Sequence, residues 1–285
     1  MKNQRKTPFG ANFLSLLFVF STLACSTSQP LTQRNQNADF DHKLADSLLT
    51  LGFDQEALYT LLSDMKPMSS ICNLSLPLAR KDSSGVDEAI TISKNISYLQ
   101  QLERYQKVLD ALETADVGFI ISPFKQDYDG KRIMQINAYR RSTMAKMVAE
   151  RQAFFGQWGF VPSTEPEILI NTIEYESKYE RFRGYGYLFG YPKHAVDFFV
   201  DASQSEARTK QFVKRDFFSI PVFIKRAGHF VYAVPKGYKP TETDSTIYQK
   251  AAVVLADYKK LRTQFMRPDS SLRALEMWKA VQKKK

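Results

Sequence analysis

The sequence predicts an α+β fold, predominantly α-helical, with a small β-sheet of about three strands that includes a hairpin in the C-terminal half. Three observations lead there. Apolar residues recur at three- and four-residue spacing along most of the chain, as on one face of a helix. Only three short runs (117–122, 220–225 and 229–234) are rich in β-branched and aromatic residues and bounded by turn residues, as strands are. The 285 residues, 44% hydrophobic with only two cysteines, supply a real apolar core without a disulfide framework.

Taken in order, Phe40, Leu44, Leu48 and Leu51 predict a first helix closed by Gly52. Asp54 reads as the cap of a second helix bearing Ala57, Leu58, Leu61, Leu62 and Met65, the pair forming an αα-hairpin. Residues 66–85, with Pro67, Pro77 and a Lys-Asp-Ser-Ser-Gly cluster, read as loop. A long helix is expected over 86–114, burying Ile92, Ile96, Leu99, Leu102, Val108, Leu109 and Leu112. Val117–Ser122 reads as a buried strand ended by Pro123, residues 124–130 as a turn and 133–155 as helix. That turn is no EF-hand, because Ala138 stands where the bidentate Glu belongs. Pro166 opens a helix with Ile168, Thr172, Tyr175, Tyr179 and Phe182 on one face. A short helix over Pro192–Val200 follows, and Ser203-x-x-Glu206 reads as the capping box of another. Ile220–Lys225 and His229–Val234 form a hairpin that would join 117–122 in one sheet. Ile247, Ala251, Val254, Tyr258, Leu261 and Phe265 mark an amphipathic helix, and 270–284 a last one.

The first residues read as an export signal. Lys2, Arg5 and Lys6 precede an apolar run from Phe13 to Phe20, and small residues lead to Ala24-Cys25. The run is shorter than the roughly 20 residues needed to span ~30 Å of hydrocarbon. Thr22-Leu23-Ala24-Cys25 resembles the lipobox of bacterial lipoproteins, with Thr22 where Leu is usual. The resemblance covers only about the first 25 residues. It implies a signal peptide over 1–24, an acyl-modified Cys25 (palmitate-type chains) and membrane anchoring in the cell envelope. With Ser26 after the cysteine, it implies the outer membrane. Acyl chains add about 0.8 kcal/mol per buried CH₂, so two or three hold stably. Residues 25–37 are then a polar, lipid-anchored tether, and 38–285 a single helix-rich domain. The formal charge of +10 includes three leader cations, leaving +7, a moderately basic surface. Cys72 has no expected partner and reads as a small buried hydrophobe.

No P-loop, G-x-S-x-G, H-E-x-x-H or paired C-x-x-C motif occurs. His42, His194 and His229 lie in different expected elements, so no metal site and no cofactor is expected. The unusual stretch is Glu174–Val200, where nine aromatics surround Gly184, Gly186 and Gly190. Its G-x-G-x-x-x-G spacing after a charged helix does not fit a dinucleotide fold. Two readings compete. In one, a glycine-hinged loop forms a ligand pocket from Arg181, Arg183, Tyr187, Tyr191 and His194. Guanidinium forks and amphipathic rings there suit an anionic, glycan or peptide ligand. In the other, glycines let two helices pack closely and the aromatics are core.

The function expected is that of a non-enzymatic envelope lipoprotein binding a ligand or partner, with the membrane held through the N-terminal lipid. The alternative is an envelope hydrolase built on Glu174, Glu176, Arg183, Tyr187, His194 and Asp197, which would require a carboxylate within hydrogen-bond reach of His194 in a cleft. No nucleic-acid partner is expected, since the basic residues form no dense patch.

Overall fold

The computed structural model describes residues 40–77, 92–224 and 230–283. The stretches read as signal peptide (1–24) and tether (25–37), with Cys25, the Lys-Asp-Ser-Ser-Gly cluster and His229, lie outside the described residues. The fold is α+β and predominantly helical, with a three-stranded antiparallel sheet and a separate two-stranded hairpin.

The chain begins with α1 (His42–Asp54), capped by Asp41, whose carboxylate accepts from the Leu44 amide at 2.9 Å. Asp54 does not cap a second helix. It closes α1, buried, and its carboxylate accepts from Tyr258 Oη at 2.5 Å and Arg262 Nε at 3.1 Å. Gly52 lies inside α1, where a Cβ would sit 3.0 Å from Leu61, and Leu51 points outward. The second helix, α2, is one turn (Leu58–Leu61). Its free C-terminal carbonyls are satisfied by a distant side chain: buried Arg140 donates to Thr60 O at 3.0 Å and Leu61 O at 2.9 Å.

The expected loop after Lys66 contains a strand instead, β1 (Met68–Pro77). Its partner β3 (Lys131–Arg140) occupies what reads as helix in the sequence, and β2 (Val117–Tyr128) continues past Pro123. The sheet order is β1-β3-β2. Asp129 (φ 51) and Gly130 (φ 67) make the two-residue β2–β3 turn, the positive-φ pair that suits the twist of a hairpin. One face of this sheet (Phe119, Ile136, Ala138) packs into a core formed with α1, α2, the end of α3 (Ile92–Leu112), α9 (Glu242–Gln264) and α10 (Ala274–Gln282). The other face (Met68, Ile120, Tyr139) packs into a second core under α4 (Arg141–Glu150), α6 (Pro166–Tyr175) and α7 (Lys178–Leu188). Burial on both faces explains why 117–121 is an unbroken apolar run. Among the described residues, Phe40–Lys285 form one compact unit that holds both cores.

Other helices depart from their expected limits. On α3, Leu99 is 57% exposed, and among its described side chains burial is concentrated at Val108, Leu109 and Leu112. Short α5 (Gln152–Phe155) follows α4. The buried face of α6 is Leu169, Ile170 and Ile173. Ile168 and Tyr175 are exposed, and the helix ends before α7 rather than reaching Phe182. Residues 193–209 are one helix, α8 (Lys193–Thr209), with Ser203 in its interior. The capping box belongs to α9, where Thr241 and Asp244 bond reciprocally. The C-terminal-half hairpin pairs β4 (Arg215–Ile220) with β5 (Phe230–Pro235), so its first strand lies earlier than expected and it does not join 117–122.

At the junction of these layers Lys66 is fully buried. Its ammonium lies 2.6 Å from Glu56 Oε2 and 4.3 Å from the centre of the Phe230 ring, with Phe189 and Tyr191 also around it. Ser70 donates to the other Glu56 oxygen at 2.8 Å. Removing one partner strands the other in a low-dielectric site. Lys66→Met or Glu56→Leu alone should each cost about 3–5 kcal/mol, and the double variant distinctly less than the sum. Urea unfolding of the three variants measures this, and additive losses would show the pair to be uncoupled.

Candidate functional site

The five residues singled out from the sequence do not converge on one pocket. Arg181 Nη1 faces Glu174 Oε1 at 3.5 Å. Arg183 is ion-paired with Asp197, which also takes Lys193 Nζ at 2.5 Å. Burial favours the neutral carboxyl of Asp197, but its two cations outweigh that and hold its pKa below the usual range. Tyr187 is buried in the second core. Tyr191 packs against both cores, its ring stacked on Phe230.

His194 meets a residue that the sequence does not suggest. Its Nε2 lies 3.1 Å from Asp244 Oδ1 and 3.0 Å from Tyr238 Oη. Tyr238 also donates to Asp244 Oδ2 at 2.6 Å. Burial of Asp244 would raise its pKa, but hydrogen bonds from Tyr232, Tyr238 and Thr241 outweigh burial and hold it at about 2. Among the described residues no hydrogen bond joins His194 to Glu174, Glu176 or Asp197. Glu176 instead accepts from Trp158 Nε1 at 2.8 Å.

The glycines act in packing. A Cβ at Gly184 would come within 2.6 Å of Ile173, and one at Gly186 within 2.7 Å of Val196. They let α7 lie against α6 and α8, and α7 runs through both without a hinge. Gly190 (φ 73) makes the turn into α8.

Two clefts flank this packed segment. One, of about 240 Å³, has Tyr187, Gly190, Tyr191 and Pro192 along one wall and the charged side chains of Asp64, Lys146, Glu150 and Arg151 around it. The other, of about 250 Å³, is the stronger candidate. Phe124 and Gln126 of β2 and Gln135 of β3 meet Glu174 of α6 and Arg181, Phe182 and Tyr185 of α7, with Phe189 following. A break in strand pairing between Pro123 and Asp127 builds it. Arg132 Nη1 donates to the freed carbonyls of Phe124 and Lys125 at 2.7 Å each, and the Lys125 amide donates to Glu174 at 2.6 Å. Tyr185 donates to the other Glu174 oxygen at 2.7 Å. Burial, and then the carboxylate beside it, push the Tyr185 hydroxyl pKa up, so it stays protonated.

Two polar side chains near Gln135 on this sheet are buried among the second core and do not line the cleft. Ser122 is the cross-strand partner of Gln135, and Asn137 lies two residues along β3 on the same side. Both are fully buried, and neither the Ser122 hydroxyl nor either polar atom of the Asn137 amide has a hydrogen-bond partner in the protein.

Of the five residues the sequence nominates for ligand binding, only Arg181 lines this cleft; Glu174, nominated in the hydrolase reading, lines it too, and the sequence does not nominate Phe124, Gln126 or Gln135. The available signal was Asp129-Gly130, a hairpin turn that would have placed strands on both sides. Cys72 is free and partly buried, and burial pushes its thiol up to about 11, as befits a small hydrophobe. Among the described residues no group of His, Cys, Asp and Glu is arranged to hold a metal, and no helix is long and apolar enough to cross a membrane. No protein-family model, curated protein or solved structure matches the chain.

Because Asp244 ionises more readily folded than unfolded (about 2 against ~3.9), it stabilises the fold above about pH 4 and loses that contribution as pH falls towards 2. Asp244→Asn should be less stable than the parent at neutral pH, and the gap should narrow across that window. Denaturant unfolding at a series of pH values reads this directly, and a constant gap would show that the ionised form has no special role.

Proposed function

We propose that this protein is an exported lipoprotein, held in the bacterial outer membrane by acyl chains on Cys25, whose domain binds a small ligand without transforming it. The carrying observation is the second cleft: a nearly buried Glu174 beside Arg181, two glutamine amides and four aromatic rings.

Of the anionic, glycan and peptide ligands considered, this chemistry favours a neutral, hydroxyl-bearing ring of the saccharide type. Glu174 largely offsets the charge of Arg181, which disfavours a strong anion. Gln126 and Gln135 both donate and accept, as sugar hydroxyls require. The rings offer faces for C–H packing. The volume lies just under the ~300–1,000 Å³ of pockets for larger ligands and suits one ring. Against the hydrolase alternative, the carboxylate within reach of His194 is Asp244 rather than Glu174, Glu176 or Asp197, and neither His194 nor Asp244 lines either cleft.

Two measurements test this. The mature protein should carry a globomycin-sensitive mass increase that disappears in Cys25→Ser; an unmodified Cys25 in the parent would remove the anchor. In titration calorimetry against a panel of neutral monosaccharides and their uronic-acid counterparts, the neutral sugars should bind. Gln135→Ala and Phe182→Ala should each weaken binding by about tenfold, the loss of about 1.4 kcal/mol. Failure of every neutral sugar to bind, or unchanged affinity in both variants, would exclude this ligand class.

A further inference from the structure

The segment after α8 presents a surface that the cleft does not use. Lys210 ends α8 in the left-handed region (φ 58) and turns the chain outward. Phe212 is 71% exposed and Phe217 64% exposed. On β4, Arg215 and Phe217 share one side, opposite to Phe218 and Ile220, which pack on the first core. The Arg215 guanidinium stacks on the Phe212 ring at 4.6 Å and is ion-paired with Glu206, so it supports the ring rather than offering free charge. The free charges are Lys210 and Lys214, on either side of Phe212, and neither has a carboxylate partner among the described residues. Asp216, the acid nearest Lys214 along the chain, is held by Lys236 at 2.6 Å, and Glu206, nearest Lys210, by Arg215.

Single exposed apolar residues are ordinary, but two phenylalanines five positions apart with unpaired ammonium groups beside them form a specific pattern. A protein interface excludes lysine from its centre. A bilayer surface takes both: rings settle at headgroup level, lysine stems lie along the apolar boundary, and each cation near an anionic leaflet strengthens binding by roughly fivefold. We infer that Phe212, Phe217, Lys210 and Lys214 form a docking face for an anionic lipid surface. This affinity belongs to the domain itself and does not depend on acylation of Cys25. If both hold, the lipid keeps the face at high local concentration, so that weak contacts suffice.

The test uses residues 26–285, which contain both cores and lack Cys25, so its outcome is independent of lipidation. Co-sedimentation is measured with phosphatidylethanolamine vesicles with and without phosphatidylglycerol, at low and high salt. The parent should bind the phosphatidylglycerol vesicles, and salt should weaken that binding. Phe212→Ser with Phe217→Ser, and separately Lys210→Glu with Lys214→Glu, should each reduce binding at least about tenfold. The single variant Phe217→Ser, which leaves the ring on Arg215 intact, should lose binding at an unchanged melting temperature. No association with anionic vesicles, equal association of parent and variants, or a protein cross-link lost in the variants while lipid binding persists would overturn the inference.

Discussion

A lysine ammonium removed from water must find compensation or lose its proton, and Lys66 finds it in three places at once. Glu56 supplies the charge, Ser70 holds the other carboxylate oxygen, and the Phe189, Tyr191 and Phe230 rings present their negative faces to the cation. Desolvation still lowers the lysine pKa, against the pull of Glu56. The constraint spreads outward because its partners belong to different elements. Lys66 lies just before β1, Tyr191 in the turn into α8, and Phe230 opens β5. Gly190 is pressed against Met65 and Lys66 there, a Cβ on it falling 3.3 Å from the Met65 carbonyl. An approach that close, at a positive φ, leaves little alternative to glycine.

Both clefts border this junction. Phe189 lines one and Tyr191 the other, and both rings also contact the buried ammonium. The candidate site is thus walled by side chains fixed by core packing. Its polar groups are fixed as firmly, Glu174 by an amide, a hydroxyl and a guanidinium. A preordered site loses little side-chain entropy on binding, which lets a small cleft hold a small ligand usefully.

How much of this was legible depends on the range of the interaction concerned. The class α+β, the strand at 117–122 and the amphipathic α9 follow from local patterns, and they are present. Residues 133–155 read as helix because Ile133, Met134, Ile136, Ala138, Met144, Met147 and Val148 satisfy a helical period over most of the segment. Pairing with β1 and β2 makes the first half a strand, and no local window contains those partners. The face of α6 was misassigned because Tyr175 and Phe182 were counted on one continuous helix, whereas the chain breaks at Glu176–Ser177. The aromatic stretch stands out in the sequence, and its glycines Gly184 and Gly186 serve close packing against Ile173 and Val196. The pairing of Lys66 with Glu56 and the meeting of His194 with Asp244 carry no local signature.

The cleft and the surface proposed to face lipid are joined by one helix. α7, which walls the cleft, lies against α8 through Gly186 and Val196, and α8 runs 17 residues to Lys210, where the exposed phenylalanines begin. A helix of that length spans about 25 Å. With Phe212 and Phe217 at a headgroup layer, the α8 segment that supports the cleft therefore lies no more than about that distance from the bilayer along the helix. Because α8 cannot bend cheaply at that length, docking at one end fixes the position of the other. Were the proposed lipid docking and envelope location both to hold, a ligand site so placed would sample the layer next to the membrane, where saccharide-bearing molecules attached to the bilayer would present their rings.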